Sequence, residues 1–212
     1  MGTLTCHYKR AGSEAPDEVL TRFRTLARRH AGGRVLDIGA YQPDDLLCYR
    51  NLGSLALVAA DARLLAEPPP GAEFVDTGLE RLPFPAGAFD VVICRFALCA
   101  TPDPCRAARE IARVLGRNGH VLFLEHARAP GVIGQAQDQA QRMLHGTRHC
   151  RLNVEVVANW QLVGLVMRRL DWYWPPCYAR APLVQGVATH PDQRYRQELA
   201  WLRGTEIPGG KP

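Results

Sequence analysis

Short apolar runs alternate along the chain with segments in which apolar residues recur every three or four positions. The runs lie in GGRVLDIG, SLALVAAD, FVDTG, FDVVICRF and HVLFLEHA. Helical spacing occurs over residues 16–31, where Val19, Phe23, Leu26 and His30 share a face. It also occurs in TPDPCRAAREIARVLGRNG, where we expect the helix to continue until Gly119. Because nearly continuous apolar strands are typical of parallel sheets, this order predicts an α/β fold with right-handed crossovers.

The second half of the chain predicts a helical cover followed by two closing strands. Residues 127–150 are rich in glutamine and predict a helix, and NVEVVANWQLVG predicts another. LVMRRLDWYW and APLVQGVATH predict the last two strands, and DQRYRQELAWLRG predicts a final helix. With the five earlier runs, the sheet should have seven strands.

Composition limits the classes of protein that this chain can represent. Its 212 residues, 47% of them hydrophobic, can bury the core of one domain. No apolar run is long enough to span a bilayer, and the start MGTLTCHYKR lacks the apolar core of a signal peptide. The seven cysteines have no paired spacing, which suits a reducing compartment, so we expect a cytoplasmic protein. The net charge of +5 comes from dispersed arginines, and we expect no nucleic-acid partner.

Candidate binding residues follow the predicted strands, where ligands of doubly wound sheets bind. Asp61 comes 22 residues after Gly39, the spacing of an acidic residue that accepts hydrogen bonds from ribose hydroxyls. The alternative for Asp61 is a turn residue or a helix cap. Other candidates at strand ends are Asp37, Glu80, Arg95 and His126.

Four segments, VLDIG, AAD, LERLPFPAGAFDVVIC and REIARVLGRNGHVLFLEH, resemble class I S-adenosylmethionine-dependent methyltransferases over about residues 16–190. Within that superfamily, CRFALCA, LEHA and HCRLNVEVVANW are most similar to the methyltransferase-like thiol S-methyltransferases, near relatives of the ubiquinone/menaquinone C-methyltransferases. The resemblance implies a Rossmann-like, doubly wound, mostly parallel seven-stranded sheet at 16–190, between an N-terminal arm at 1–15 and a C-terminal helix and tail at 191–212.

The same resemblance implies a site and a chemistry. The cofactor would be S-adenosylmethionine, and the acceptor would be a small molecule, with a thiol among the candidates. The residues that would bind the cofactor are Asp37, Gly39, Tyr41, Asp61, Glu80 and Arg95. Residues 127–160 would cover the acceptor side of the pocket.

The loop GAYQPDD departs from the family pattern. Gly39 is retained, but Tyr41 and Pro43 replace the second and third glycines. A non-glycine residue at positive φ carries about 1–3 kcal/mol of strain, whereas proline is tolerated in a first helical turn. We expect a cofactor site of reduced affinity that Tyr41 partly occupies. Two hypotheses follow: an active methyltransferase, or a pseudoenzyme with an impaired cofactor loop that acts as a binding or partner subunit.

His126 ends the fifth predicted strand and is the candidate catalytic base for a thiol acceptor. Its alternative is a histidine bonded into the strand end. HGTRHC places His145, His149 and Cys150 at helical spacing, but no fourth ligand has a recognisable spacing, so we expect no metal site. The other cysteines near the fourth strand are expected to pack as small apolar residues: Cys94, Cys99 and Cys105.

Overall fold

The computed structural model describes residues 17–39, 43–59, 70–143, 150–174, 182–192 and 195. The strands are β1 (Gly33–Gly39), β2 (Leu52–Ala59), β3 (Glu73–Asp76), β4 (Phe89–Arg95), β5 (Leu115–His126), β6 (Val166–Tyr173) and β7 (Leu183–Thr189). The α-helices are α1 (Asp17–His30), α2 (Pro104–Val114), α3 (Gly131–Met143) and α4 (Val156–Leu162), and a 3-10 helix covers Pro43–Cys48.

All seven strands belong to one sheet, in the order β3-β2-β1-β4-β5-β7-β6. Strand β7 runs antiparallel to both of its neighbours, and the other adjacent pairs are parallel. The predicted seven-stranded, mostly parallel α/β sheet is therefore confirmed. The order changes direction between β1 and β4, and such a switch point is where doubly wound sheets bind ligands.

Apolar residues cover the sheet as the sequence pattern predicts. The centres of β1 and β4 are fully buried, with Leu36 and Ile93 among the most enclosed side chains. Helix α1 buries Val19, Phe23 and Leu26, the face expected from their spacing. Helix α4 buries Trp160 against Phe123 of β5, with the two ring centroids 5.9 Å apart.

Helix α2 begins as predicted but ends earlier. Asp103 is its N-cap, and its carboxylate accepts a hydrogen bond from the Arg106 N–H at 2.9 Å. The prediction that the helix continues until Gly119 is wrong, because Leu115 is already extended and pairs with Phe89 in the sheet. Gly119 instead lies against β4, where a Cβ atom would stand 2.8 Å from the Asp90 carbonyl oxygen. The glycine therefore permits close strand contact and does not cap a helix.

The second half of the chain follows the predicted order. The helices α3 and α4 and the strands β6 and β7 occupy the segments in which the sequence predicts a cover and two closing strands. The final helix predicted in DQRYRQELAWLRG lies outside the described residues except for Tyr195. Among the described helices, none combines the length and the apolar character that crossing a bilayer requires.

Candidate cofactor and acceptor site

Gly39 and Arg95 face each other at the ends of β1 and β4. Gly39 has φ of +102°, and a Cβ atom there would lie 2.1 Å from the Arg95 carbonyl oxygen. Only glycine fits this position, because both the backbone conformation and the available space exclude a side chain. Phe96, the next residue after β4, is not glycine yet has φ of +50°. Strained backbone of this kind is found most often at functional sites.

A buried network of charges surrounds Arg95. Its guanidinium donates to Asp37 at 3.2 Å and, through a short contact, to Asp45. Asp45 also pairs with Arg24 at 3.0 Å, and the Tyr49 hydroxyl donates to Asp37 at 2.5 Å. Two carboxylates and two guanidiniums thus balance each other close to the loop that follows Gly39.

Burial controls the titration of this network. It raises the pKa of Asp37, although Arg95 and Tyr49 act in the opposite direction, and it raises the pKa of Tyr49 with help from Asp37. Burial alone would lower the pKa of Arg95, but the neighbouring carboxylates outweigh it and the guanidinium stays charged. The Arg95 Nε–H is buried and has no hydrogen-bond acceptor among the described residues.

Glu125 of β5 holds the turn that follows β4. Its carboxylate accepts hydrogen bonds from the backbone N–H groups of Ala97, Leu98 and Cys99 at 2.8, 3.0 and 3.2 Å. The side chain is completely buried, and this burial raises its pKa to about 7 although the three N–H donors favour the ionised form. We define this four-residue segment, Phe96–Cys99, as the β4 turn.

Glu80 lies in the loop that follows β3 and contacts the segment between the β4 turn and α2. Its Oε1 accepts hydrogen bonds from the Thr101 hydroxyl, through a short contact, and from the Asp103 N–H at 3.2 Å. Glu80 therefore ties the loop after β3 to the segment that enters α2. Its predicted role as a cofactor-binding residue remains a prediction.

His126, at the end of β5, contacts two cysteine sulfurs. Its Nδ1 lies 3.2 Å from Cys150 Sγ and 3.6 Å from Cys99 Sγ, and the two sulfurs are 2.6 Å apart. The imidazole ring also packs on Phe96 of the β4 turn, with centroids 5.0 Å apart. Cys99 is fully buried, as expected, but packing is only part of its environment. We call these three residues the Cys99–His126–Cys150 cluster.

The cluster is where the predicted cover meets the sheet. The Arg151 N–H donates to the Cys99 carbonyl oxygen at 2.6 Å, so the chain beside Cys150 is bound to the β4 turn. Of the candidates in HGTRHC, Cys150 is described, whereas His145 and His149 lie outside the described residues. Sequence analysis missed this cluster because Cys99 and Cys150 are 51 positions apart, and only the fold brings them together.

The structure describes some of the predicted site residues and not others. It brings Asp37, Gly39 and Arg95 together at the switch point and places His126 on the neighbouring strand end. Predictions for Tyr41 and Asp61 lie outside the described residues. Pro43 is the first residue of the 3-10 helix, where its missing N–H costs least. Asp45, in the conspicuous GAYQPDD, belongs to the same network and ends the candidate segment that follows the first predicted strand, whereas Tyr49 was not among the candidates.

Comparison with known proteins identifies the family. A methyltransferase domain model matches residues 53–123. Phosphatidylethanolamine N-methyltransferase from Cereibacter sphaeroides is 30% identical over 143 residues, which cover 61% of this chain and 67% of that protein. The uncharacterized methyltransferase YcgJ from Bacillus subtilis is 45% identical over 47 residues, covering 22% of this chain and 19% of its own length. The solved structure of YcgJ matches with a TM-score of 0.63 at 17% identity, over 81% of this chain and 99% of that one.

These similarities show that the chain belongs to the class I S-adenosylmethionine-dependent methyltransferase family. The rat thiol S-methyltransferase TMT1B is a further relative, 31% identical over 94 residues that cover 42% of this chain and 38% of the rat protein. The aligned stretches of YcgJ and TMT1B thus represent less than half of those proteins. The resemblance to the class I superfamily is confirmed, whereas the subgroup and its acceptor remain proposals.

Proposed function

We propose that this protein transfers a methyl group from S-adenosylmethionine to the sulfur of a small-molecule thiol. One observation carries the proposal: the β4 turn stands between Gly39 and the Arg95 network on one side and His126 on the other. The similarity to TMT1B over 94 residues supports a thiol as the acceptor. A cofactor bound at the ends of β1 and β4 and an acceptor bound beside His126 would both lie next to this turn, and the proposal requires that they meet at its edge.

The described residues fit this cofactor through Arg95 and Gly39. A buried N–H without an acceptor is unfavourable, and the carboxylate of the methionine moiety would satisfy the Arg95 Nε–H. Asp37 and Asp45 keep the guanidinium oriented while its Nε remains available. Gly39 brings backbone to a position where a side chain would clash with the Arg95 carbonyl oxygen. We further propose that Asp61 holds the ribose, as its spacing predicts.

When bound, the cofactor supplies a methyl group on a positively charged sulfur, which a thiolate attacks in line. The task of the protein is to position the acceptor and remove its proton. We propose that His126 receives this proton at Nε2. That role requires the tautomer in which Nδ1–H donates to a cysteine sulfur, because a neutral imidazole accepts a proton only at its unprotonated nitrogen.

The pH dependence of turnover tests the role of His126. His126→Ala should reduce turnover most at pH values below the pKa of the acceptor thiol, where few acceptor molecules are already ionised. His120→Ala is a suitable control, because His120 lies six residues earlier on the same strand, with its ring tilted against that of His30 at a centroid distance of 5.2 Å. A loss that is equal at every pH, or no loss, would show that His126 is structural.

The alternative is a methyltransferase-fold pseudoenzyme that acts as a binding or partner subunit. The charge balance of the network favours it, because Arg95, Asp37, Asp45 and Arg24 neutralise one another without a ligand. The replacement of two glycines by Tyr41 and Pro43 favours it as well.

Calorimetric titration with S-adenosylhomocysteine separates the two hypotheses. Binding supports the enzyme, whereas absence of binding in folded protein supports the pseudoenzyme. The Tyr41→Gly, Pro43→Gly double variant should bind more tightly if the loop is impaired. Weaker binding by this variant would show that the two residues form a working site of a different shape.

A further inference from the structure

We infer that the Cys99–His126–Cys150 cluster is a zinc site. Two sulfurs and one imidazole nitrogen converge there, and all three atoms lie within 4.8 Å of one another. Thiolates and imidazole are the ligands that zinc prefers in proteins. This inference reverses the expectation, drawn from the spacing in HGTRHC, that the chain holds no metal. It is an alternative to the proton-acceptor role proposed for His126, because a metal bound at Nδ1 leaves the proton on Nε2.

The nitrogen–sulfur distances are close to those of a zinc site, whereas the sulfur–sulfur distance is shorter. In a tetrahedral zinc site, bond lengths of about 2.3 Å to sulfur and about 2.0 Å to nitrogen place the sulfur and nitrogen atoms about 3.6 Å apart. The distances from His126 Nδ1 are 3.2 and 3.6 Å. The two sulfurs, now 2.6 Å apart, would have to separate to about 3.8 Å.

The surroundings allow that movement. Cys99 is enclosed in the core and held by Glu125, whereas Cys150 is only partly buried and lies outside regular secondary structure. A rotation of the Cys150 side chain is therefore enough to open the space between the sulfurs. With three ligands from the described residues, the fourth position of a tetrahedral site would be left to water.

The position of the metal would affect the acceptor side directly. It would link the β4 turn, the end of β5 and the segment that follows α3. Because Nδ1 would bind the metal, Nε2 would keep its proton and His126 would not act as a base.

Metal binding can be measured without any assay of activity. The full chain, reduced and freed of metal with a chelator, is titrated with Co²⁺, which reports thiolate ligands through sulfur-to-cobalt charge-transfer absorption. We expect one equivalent to bind with that absorption and with tetrahedral visible bands, and to be displaced by Zn²⁺. Zinc binding should also release protons from the two thiols.

The principal variant is Cys150→Ser, because Cys150 is the least buried ligand and its replacement disturbs the core least. Its affinity for the metal should fall by more than the roughly 10- to 100-fold that loss of a supporting contact causes. Cys105→Ser, which changes a half-buried cysteine of α2 outside the cluster, should bind as the native chain does. Circular dichroism verifies that both variants are folded.

Three results would overturn the inference. The first is failure of the reduced, folded chain to bind Co²⁺ or Zn²⁺. The second is unchanged affinity in Cys150→Ser. The third is a protein isolated without reductant that has two fewer titratable thiols and still takes up no metal after reduction, because the pair would then be a reversible disulfide. Each of these results leaves the titration with S-adenosylhomocysteine, and therefore the proposed methyl transfer, as a separate question.

Discussion

Replacement of Glu125 by glutamine should remove a large part of the pH dependence of the stability of this protein. Burial raises the pKa of Glu125 from the ordinary value of 4.5 to about 7. Such a shift means that ionising Glu125 costs the folded state roughly 3 kcal/mol more than it costs the unfolded chain. Glutamine retains one acceptor oxygen for the β4 turn but cannot ionise.

The sign of the effect follows from the direction of the shift. Because the folded-state pKa is raised, the stabilisation from protonated Glu125 is complete below pH 4.5 and is lost as the pH rises through 7. Between pH 5 and pH 8, the unfolding free energy of the native chain relative to the Glu125→Gln variant should therefore fall by roughly 2–3 kcal/mol. Asp37, whose pKa is also raised by burial, is present in both proteins and cancels in this difference.

Equilibrium unfolding in urea, measured at intervals across this pH range, provides the two free energies. The fluorescence of Trp160, which is fully buried, should change on unfolding, and circular dichroism supplies an independent signal. Parallel curves for the two proteins would refute the assignment of the pH dependence to Glu125. A difference that grows in favour of the native chain as the pH rises would mean that the three backbone N–H groups outweigh burial.

Two other substitutions test the same edge of the sheet by urea unfolding. Gly39→Ala should lower the free energy of unfolding by about 3 kcal/mol or more, because it combines unfavourable φ with a steric clash. Gly71→Ala, where φ is +83° and the space is open, should lower it by about 1 kcal/mol. Equal losses in the two variants would contradict the clash. Arg95→Met should cost about 3–5 kcal/mol near neutral pH, because it removes the buried cation that Asp37 and Asp45 share and leaves them with Tyr49 and Arg24. Adding Asp45→Asn should recover part of that loss, and a further loss would contradict the charge argument.

Most of the fold could be predicted from the sequence because its signals are local. Apolar runs bounded by glycine mark each buried strand, and three-to-four spacing marks α1 and α2. The one clear error is the end of α2. The rule that glycine follows a helix end predicted it, but the contact of Gly119 with β4 decides the position of that glycine. Gly119 looks like a helix cap in the sequence, but its lack of a side chain serves the approach to Asp90.

The candidate site could be predicted only in part, for a physical reason. Asp37, Gly39 and Arg95 stand at strand ends, a position that the sheet topology alone marks as important. The sequence does not show that Arg95 pairs with Asp45, that Glu125 binds three amides, or that Cys150 reaches Cys99. These contacts join residues from 26 to 51 positions apart, and they depend on how the strands are ordered.

Cys99 is a junction between parts of the molecule that would bind different ligands. Its N–H is held by Glu125, its carbonyl by Arg151, and its sulfur lies against Cys150 and His126. Arg95 is only four positions earlier, at the end of β4 and next to the strained Phe96. We therefore expect a movement of the segment around Cys150 to reach the guanidinium at the switch point through Cys99. Thermodynamic linkage makes this coupling reciprocal. If a ligand bound on one side strengthens the binding of a ligand on the other side, the second ligand strengthens the binding of the first by the same factor.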